Sequence, residues 1–238
     1  MSATWLVLPT YNEADNLAAM VAAVLPQLAS TGAHRVLVVD DNSPDGTGRM
    51  ADELAAAHDE VEVLHRADKQ GLGRAYAAGF QHALAGGAEL IMEMDCDFSH
   101  DPADIPRLVS AARGGADLVL GSRYAPGGGV ENWGLGRRMV SRGGCLYAQA
   151  LLRVPVRDLT GGFKCFNRAV LEGIGIEEMH ADGYGFQIEL TYRALRAGFS
   201  VREVPITFHE RRAGQSKMSA RIALEAVWKV PALKIRMR

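Results

Sequence analysis

Cysteine is scarce in this 238-residue chain, with only Cys96, Cys145 and Cys165 and no metal-like spacing among them. An odd trio cannot all pair, so a disulfide framework is not expected, and a reducing compartment suits the chain. Long hydrophobic runs are missing too: no uninterrupted apolar stretch reaches the ~18 residues of a transmembrane helix. Met1 to Thr4 lead directly into apolar sequence without a basic start or a small-residue cleavage site, and no signal peptide is expected. Internal repeats, low-complexity segments and a domain linker are likewise absent. The glycine-rich turn Gly71-Leu72-Gly73-Arg74-Ala75-Tyr76 lacks the third glycine of a dinucleotide fingerprint, and no Lys-Ser/Thr pair follows it. That counts against an NAD enzyme or a P-loop NTPase.

What is present is ordinary in bulk and uneven in charge. At 48% hydrophobic and 23% charged residues, the composition is that of a soluble globular protein long enough for one large α/β domain. The net charge of −2 hides an asymmetry: from Thr191 onward eleven Lys/Arg face three acids, a balance of +8, which leaves −10 for the first 190 residues. A basic C-terminal region suggests an anionic partner, either a membrane surface or nucleic acid.

Short apolar runs alternate with helical periodicity along the first half, the pattern of a parallel sheet with crossover helices. Strands are predicted at 5–8 (broken at Pro9), 36–39, 61–64, 90–94, 118–120 and 201–204. Helices are predicted at 14–28, around Met50 to Ala57, and at 75–84, 104–112, 146–152 and 186–197. Residues 124–144 read as a long irregular loop, with three glycines at 127–129 and arginines at 137, 138 and 142. In the first half the polar clusters fall at the C-terminal ends of predicted strands, where an open α/β sheet binds ligands.

The sharpest cluster is Met94-Asp95-Cys96-Asp97-Phe98, two carboxylates delivered by the apolar run Leu90, Ile91, Met92. If extended geometry persists, Asp95 and Asp97 point one way and Cys96 the other. Such a pair suits a hard cation, Mg2+ or Mn2+, shared with substrate phosphate oxygens. It equally suits a loop opening or a cap for the helix near Pro102. In Leu8-Pro9-Thr10-Tyr11-Asn12-Glu13 an aromatic ring and a carboxylate stand where a nucleobase could lie, or where a plain strand-to-helix turn would be. Asp40 and Asp41 could accept from a base or ribose hydroxyl, or open an Asx-rich turn.

These segments, followed by Gly121-Ser122-Arg123-Tyr124, occur in the order seen in inverting family 2 glycosyltransferases of the GT-A fold, which the chain resembles. Asp41 to Thr47, Asp158-Leu159-Thr160-Gly161-Gly162-Phe163, Gly183 to Glu189, and Phe208 through Arg211 to Lys217 are most similar to the polyprenyl- or dolichyl-phosphate mannose synthase branch. The resemblance implies a mostly parallel central sheet flanked by helices, with a Rossmann-like nucleotide-binding half. It implies one catalytic domain over 1–219 and a basic amphipathic segment over 220–238.

It further implies mannosyl transfer from GDP-mannose to a polyprenyl (dolichyl-type) monophosphate. The alternatives are glucosyl transfer from UDP-glucose, or a non-catalytic nucleotide-binding subunit. By the same resemblance Pro9, Tyr11, Glu13, Val39 and Asp41 hold guanosine, and Asp95, Cys96 and Asp97 meet ribose and diphosphate. Asp97 and Ser99 ligate Mg2+ or Mn2+; some relatives carry glutamine at the position of Ser99, and serine is a weaker ligand. Arg123, Arg211 and Lys217 clamp phosphate oxygens and, with Asp97, carry catalysis. The acceptor is assigned to Arg123, Arg137, Arg138, Ser141, Gln187 and Glu189. The expected setting is cytoplasmic, peripheral on the cytoplasmic face of a membrane, with a membrane-protein partner subunit possible. Nucleic acid is not an expected partner, because the basic tail lacks a recognised binding fold.

Overall fold

The computed structural model describes residues 3–179, 183–210 and 230–236. The first half runs β1 (Thr4–Thr10), α1 (Ala14–Ala29), β2 (His34–Asp40), α2 (Thr47–Ala57), β3 (Val61–His65), α3 (Leu72–Ala85), β4 (Leu90–Glu93) and α4 (Ile105–Arg113). The second runs β5 (Leu118–Ser122), β6 (Gly129–Val130), α5 (Leu135–Leu152), β7 (Lys164–Asn167), α6 (Arg168–Gly173), α7 (Tyr184–Arg196), β8 (Val201–Pro205) and β9 (Thr207–Phe208).

Seven strands form one sheet in the order β3-β2-β1-β4-β7-β5-β8, and β6 pairs β9 separately. All neighbours in the large sheet are parallel except β7, which runs antiparallel to both β4 and β5. Period-two alternation divides the apolar runs between two cores. Leu6, Leu8, Val36 and Val38 face one side, packed with Leu17, Met20 and Val24 of α1 and Leu108 of α4. Trp5, Val7, Leu37 and Val39 face the other, with Tyr76 and Phe80 of α3, Ala148 and Leu152 of α5, and Phe186 of α7. Residues 230–236 are helical; Val230 and Leu233 join this second core, and Lys234 Nζ donates to the Leu151 carbonyl at 2.5 Å.

Several elements depart from the sequence expectation. Pro9 continues β1 instead of breaking it, because pairing with β4 stops at Val7 while pairing with β2 runs on through Thr10. A residue without an N–H is tolerated where one side of the ladder is already open. Residues 135–144, expected as loop, form the N-terminal part of α5, which continues through the helix expected at 146–152. Gly136, Gly143 and Gly144 disguised it, and so did its exposed apolar side chains, which break the usual one-faced pattern. Short β7, inserted between β4 and β5, was not anticipated from its four residues.

The start of α1 is capped from elsewhere in the chain. The N–H groups of Asn12, Glu13 and Ala14 donate to Ser43 Oγ, Thr47 Oγ1 and Asp45 Oδ2 at 3.1, 3.0 and 3.1 Å. The loops after β1 and β2 are therefore stapled together by groups that a helix terminus would otherwise leave unpaired. The N-cap residue, Glu13, makes no side-chain cap bond of its own.

Two glycines make opposite predictions. A Cβ at Gly79 of α3 would stand 2.4 Å from Val7 Cγ1 and 3.0 Å from Val39 Cγ2, whereas one at Gly143 of α5 meets nothing within 4 Å. Gly79→Ala should lower stability by a net of about 1–2 kcal/mol, overpacking outweighing the helix-propensity gain. Gly143→Ala should raise it by up to about 1 kcal/mol. Urea unfolding of both variants checks the two signs.

Candidate active site

From β1 the chain builds outward to β2 and β3, then restarts on the other side of β1 with β4. At this reversal the loops leaving the strands' carboxyl ends diverge and leave a crevice. A cavity of about 270 Å³ lies there. Pro9 and Glu13 border it from the β1 loop, Asp95 to Asp97, Ser99 and His100 from the β4 loop, and Arg123 from the end of β5. Thr160 to Gly162, Gln187, Trp133, Arg137 and Phe208 complete most of its wall.

The β4 loop is not extended. The strand ends at Glu93, Phe98 takes a left-handed φ of 60°, and Asp97 Oδ1 accepts the Ser99 N–H at 3.0 Å, closing a turn. Asp95, Cys96 and Asp97 consequently all border the cavity, instead of alternating across a strand. Tyr76, fully buried, donates its hydroxyl to Asp95 Oδ1 at 3.1 Å. Ser99 Oγ and His100 Nδ1 are buried and have no hydrogen-bond partner among the described residues. Burial pushes the His100 imidazole down to about 4, against the pull of Asp97, so it is neutral at pH 7. Its ring lies against Phe163 and Phe208, with centroids 5.2 Å away in each case.

Two buried ion pairs support the far wall. Arg123 donates from Nε and Nη2 to the Asp158 oxygens at 2.7 and 2.6 Å, and from Nη2 to Thr160 Oγ1 at 2.7 Å. Its own N–H also binds Asp158, at 3.0 Å. Burial, the largest single influence, would raise the Asp158 pKa, but the Arg123 charge together with the hydrogen bonds from Arg123 and Thr160 outweighs it and holds the carboxyl below the usual range. Glu203 completes the support by accepting from Ser122 Oγ and from the Asp158 and Arg157 N–H groups at 2.7, 3.0 and 3.0 Å. The second pair, Glu93 and Lys164, face each other in the β4–β7 register and meet at 2.9 Å with no exposed side-chain surface.

The expected site residues that the structure describes fall into three groups. Pro9, Glu13, Asp95, Cys96, Asp97, Ser99, Arg123, Arg137 and Gln187 meet at the cavity. Tyr11, Val39 and Asp41 gather beside it at the ends of β1 and β2: Lys69 Nζ sits 3.6 Å over the Tyr11 ring, and Arg66 donates to Asp41. Burial raises the Asp41 pKa despite Arg66. Arg138, Ser141 and Glu189 lie outside the lining. Arg138 bonds the Val130 carbonyl at 3.0 Å, Ser141 accepts from the Tyr124 hydroxyl at 2.6 Å, and Glu189 is gripped by Arg193 one turn along α7 at 2.9 Å. Glu189 is thus committed within its own helix and does not join the acceptor side of the cavity. Arg211 and Lys217 lie outside the described residues, as does the amphipathic stretch expected around Met218 to Trp228. Sequence reasoning missed His100, Trp133 and the support of Asp158 and Glu203. Asp158 stood in a quoted motif; the other three carried no distinguishing signal.

This backbone arrangement is shared with solved enzymes. Glucosyl-3-phosphoglycerate synthase from Mycobacterium tuberculosis, in complex with Mn2+, UDP-glucose and phosphoglyceric acid, matches with a TM-score of 0.72 at 20% identity, over 98% of this chain and 80% of that one. Its complex with Mn2+, UDP and phosphoglyceric acid matches at 0.71 and 18%, over 98% and 78%. The chain therefore has a GT-A-like α/β fold, and its class is glycosyltransferase. Residues 5–175 match the family Glycosyl transferase family 2, and the chain belongs to it. Among its relatives are a polyprenol monophosphomannose synthase of Mycolicibacterium smegmatis, 48% identical over 99% of this chain and 88% of that protein, and an undecaprenyl-phosphate mannosyltransferase of Micrococcus luteus, 45% identical over 93% and 89%.

The Arg123–Asp158 pair gives a pH prediction. Because the folded Asp158 pKa is depressed, its stabilisation is complete above the ordinary carboxylate range and is lost as pH falls through the folded value. Asp158→Asn should destabilise the protein by about 3–5 kcal/mol at pH 7, leaving Arg123 buried and uncompensated, and the deficit should shrink toward pH 3. Denaturant unfolding at both pH values checks it.

Proposed function

We propose that the protein transfers mannose from GDP-mannose to a polyprenyl monophosphate, producing polyprenyl-phosphate β-mannose and GDP. The observation that carries this reading is identity of 48% and 45%, over nearly the whole chain, to two proteins named for mannosyl transfer to such lipids. The cavity is compatible with it: carboxylates and a buried serine hydroxyl on one side, arginines on the other, as two facing phosphate groups require.

In the reaction an acceptor phosphate oxygen attacks the anomeric carbon, and the bond to the GDP oxygen breaks with its electron pair leaving on the diphosphate. One in-line displacement inverts the α linkage to β. A phosphate monoester has a second pKa of about 6, so the nucleophile is largely a dianion at neutral pH and needs no strong base. Pro9, Tyr11, Glu13, Val39 and Asp41 are the guanosine residues of this reading, and Asp95 and Cys96 extend the contact toward ribose and diphosphate.

Asp97 and Ser99 are the residues to hold Mg2+ or Mn2+; both border the cavity, and the unpartnered Ser99 Oγ is a hard oxygen donor that fits. No group of three or more His, Cys, Asp or Glu side chains among the described residues is placed to hold a metal, so a cation held by Asp97 and Ser99 would rely on substrate phosphate oxygens and water for the rest. Such a cation supplies charge stabilisation to the leaving diphosphate. Arg211 and Lys217 are assigned to the same diphosphate. On the acceptor side, Arg123 keeps Nη1 outside its bonds to Asp158 and Thr160, and Arg137 stacks 4.1 Å over Trp133 at the cavity edge.

A lipid acceptor calls for a membrane-facing surface, and α5 offers one. Leu135, Met139, Val140 and Leu146 are 78%, 73%, 52% and 49% exposed, on a helix that also carries Arg137, Arg138 and Arg142. Apolar and cationic side chains on one surface helix suit the interface of an anionic bilayer. No helix among the described residues is long and apolar enough to cross a membrane. We assign the protein to the cytoplasmic membrane face on this basis, with the nucleotide-sugar pool on the same side.

Incubation with GDP-mannose and a short-chain polyprenyl phosphate, read by product mass, tests the reaction. Product should form with Mn2+ or Mg2+ and not with excess EDTA; product from UDP-glucose alone would overturn the donor assignment. Asp97→Ala should lower turnover at least about 100-fold with its thermal unfolding preserved. Leu135→Glu/Met139→Glu should lose most co-flotation with anionic liposomes while keeping GDP affinity.

A further inference from the structure

Beneath the cavity lies a polar group that the reaction as described does not use. Lys164 Nζ, fully buried, donates to Glu93 Oε1 at 2.9 Å and to Gln187 Oε1. An ammonium has donors and no acceptor, so it dictates which end of the Gln187 amide it meets. The oxygen is held by Lys164, which leaves the NH2 group on the other arm of the amide. That nitrogen, Nε2, is buried and meets no hydrogen-bond partner among the described residues, although Gln187 borders the cavity.

Its surroundings are specific. A Cβ on Gly162 would stand 3.4 Å from Gln187 Nε2 and 3.7 Å from Asp95 Oδ2, so the donor and the carboxylate converge on a wall residue that has no side chain. Tyr76 anchors the other Asp95 oxygen. A donor and an acceptor side by side at the wall match the two needs of a sugar hydroxyl, which accepts one hydrogen bond and donates another. A buried donor left unpaired is unfavourable, so a ligand that satisfies it gains affinity.

Resting on the reading of this cavity as a hexosyl-donor site, we propose that Gln187, oriented by the buried Lys164–Glu93 pair, donates a hydrogen bond to a hydroxyl of the transferred hexose beside Asp95. Gln187 becomes a sugar-reading residue rather than an acceptor contact, and Lys164 and Glu93 become positioning residues that act through it. Without Lys164 the amide could turn, presenting its oxygen to the sugar and losing the distinction between donor and acceptor.

Calorimetric titration of the full chain with Mn2+ and either GDP, GDP-mannose, or GDP-mannose lacking the 2-, 3- or 4-hydroxyl tests this. Gln187→Leu should weaken GDP-mannose about 10-fold and leave GDP within about 2-fold. One deoxy donor should bind the wild type about 10-fold more weakly than GDP-mannose does, yet bind wild type and Gln187→Leu equally. Gln187→Glu, which keeps an oxygen toward Lys164 and removes the donor, should show the same pattern and serves if the leucine variant does not fold. Glu93→Gln/Lys164→Met, removing both buried charges together, should lose the same hydroxyl-specific increment with GDP affinity kept. Equal losses for GDP and GDP-mannose, additive losses with every deoxy donor, or a raised polyprenyl-phosphate KM with unchanged GDP-mannose affinity would each overturn the proposal. If the wild type prefers UDP-glucose, the donor assignment fails separately. UDP against UDP-glucose in the same variants then decides the role of Gln187.

Discussion

Arg123 enters the interior at the end of β5 with almost its whole side chain sealed from water, and Asp158 is what makes that possible. An uncompensated buried guanidinium would cost several kcal/mol, so the loop carrying Asp158 has to close over it. Glu203 then holds that loop by two backbone N–H groups, and the loop continues through Thr160 and Gly161 to Gly162 at the cavity wall. One pairing requirement therefore links β5, β8 and the approach to β7. The cavity's far side is rigid because charge, once buried, tolerates only one arrangement of its neighbours.

The near side is organised by backbone groups. The first N–H groups of α1 find acceptors in the β2 loop, so the two loops that border the nucleotide end are joined without a disulfide or a local cap. Between these sides, β7 runs against the direction of its neighbours and brings Lys164 opposite Glu93. A fully parallel sheet would have to reach this position by another crossover. An antiparallel insertion reaches it with four residues and places a charged pair directly below the site.

Much of this was legible beforehand, for identifiable reasons. The doubly wound half announced itself because each of its strands is a short apolar run, and because loops at carboxyl ends collect Asp, Asn, Gly and Pro for turn chemistry. Asp95, Asp97, Ser99 and Arg123 were recognisable from motif order, and they converge in space. The N-terminal part of α5, residues 135–144, was missed because its glycines and exposed leucine and methionine break the amphipathic rule that identifies a core-facing helix. Glu189 lies outside the cavity lining, its carboxylate paired with Arg193 four residues on, a pairing visible in the spacing but not decided by it.

The sequence alone determined the alternation of strands and helices, the carboxylate cluster at the end of β4 and the family, because local periodicity and turn chemistry act over a few residues. Tertiary structure decided which charges are paired, which polar atoms are left without partners, and which way the Gln187 amide faces. Those outcomes depend on contacts between residues 23 to 81 positions apart, Gln187 to Lys164 and Glu203 to Ser122 among them. In a low-dielectric interior, the cost of an unmet charge or donor selects among arrangements that local sequence leaves equal.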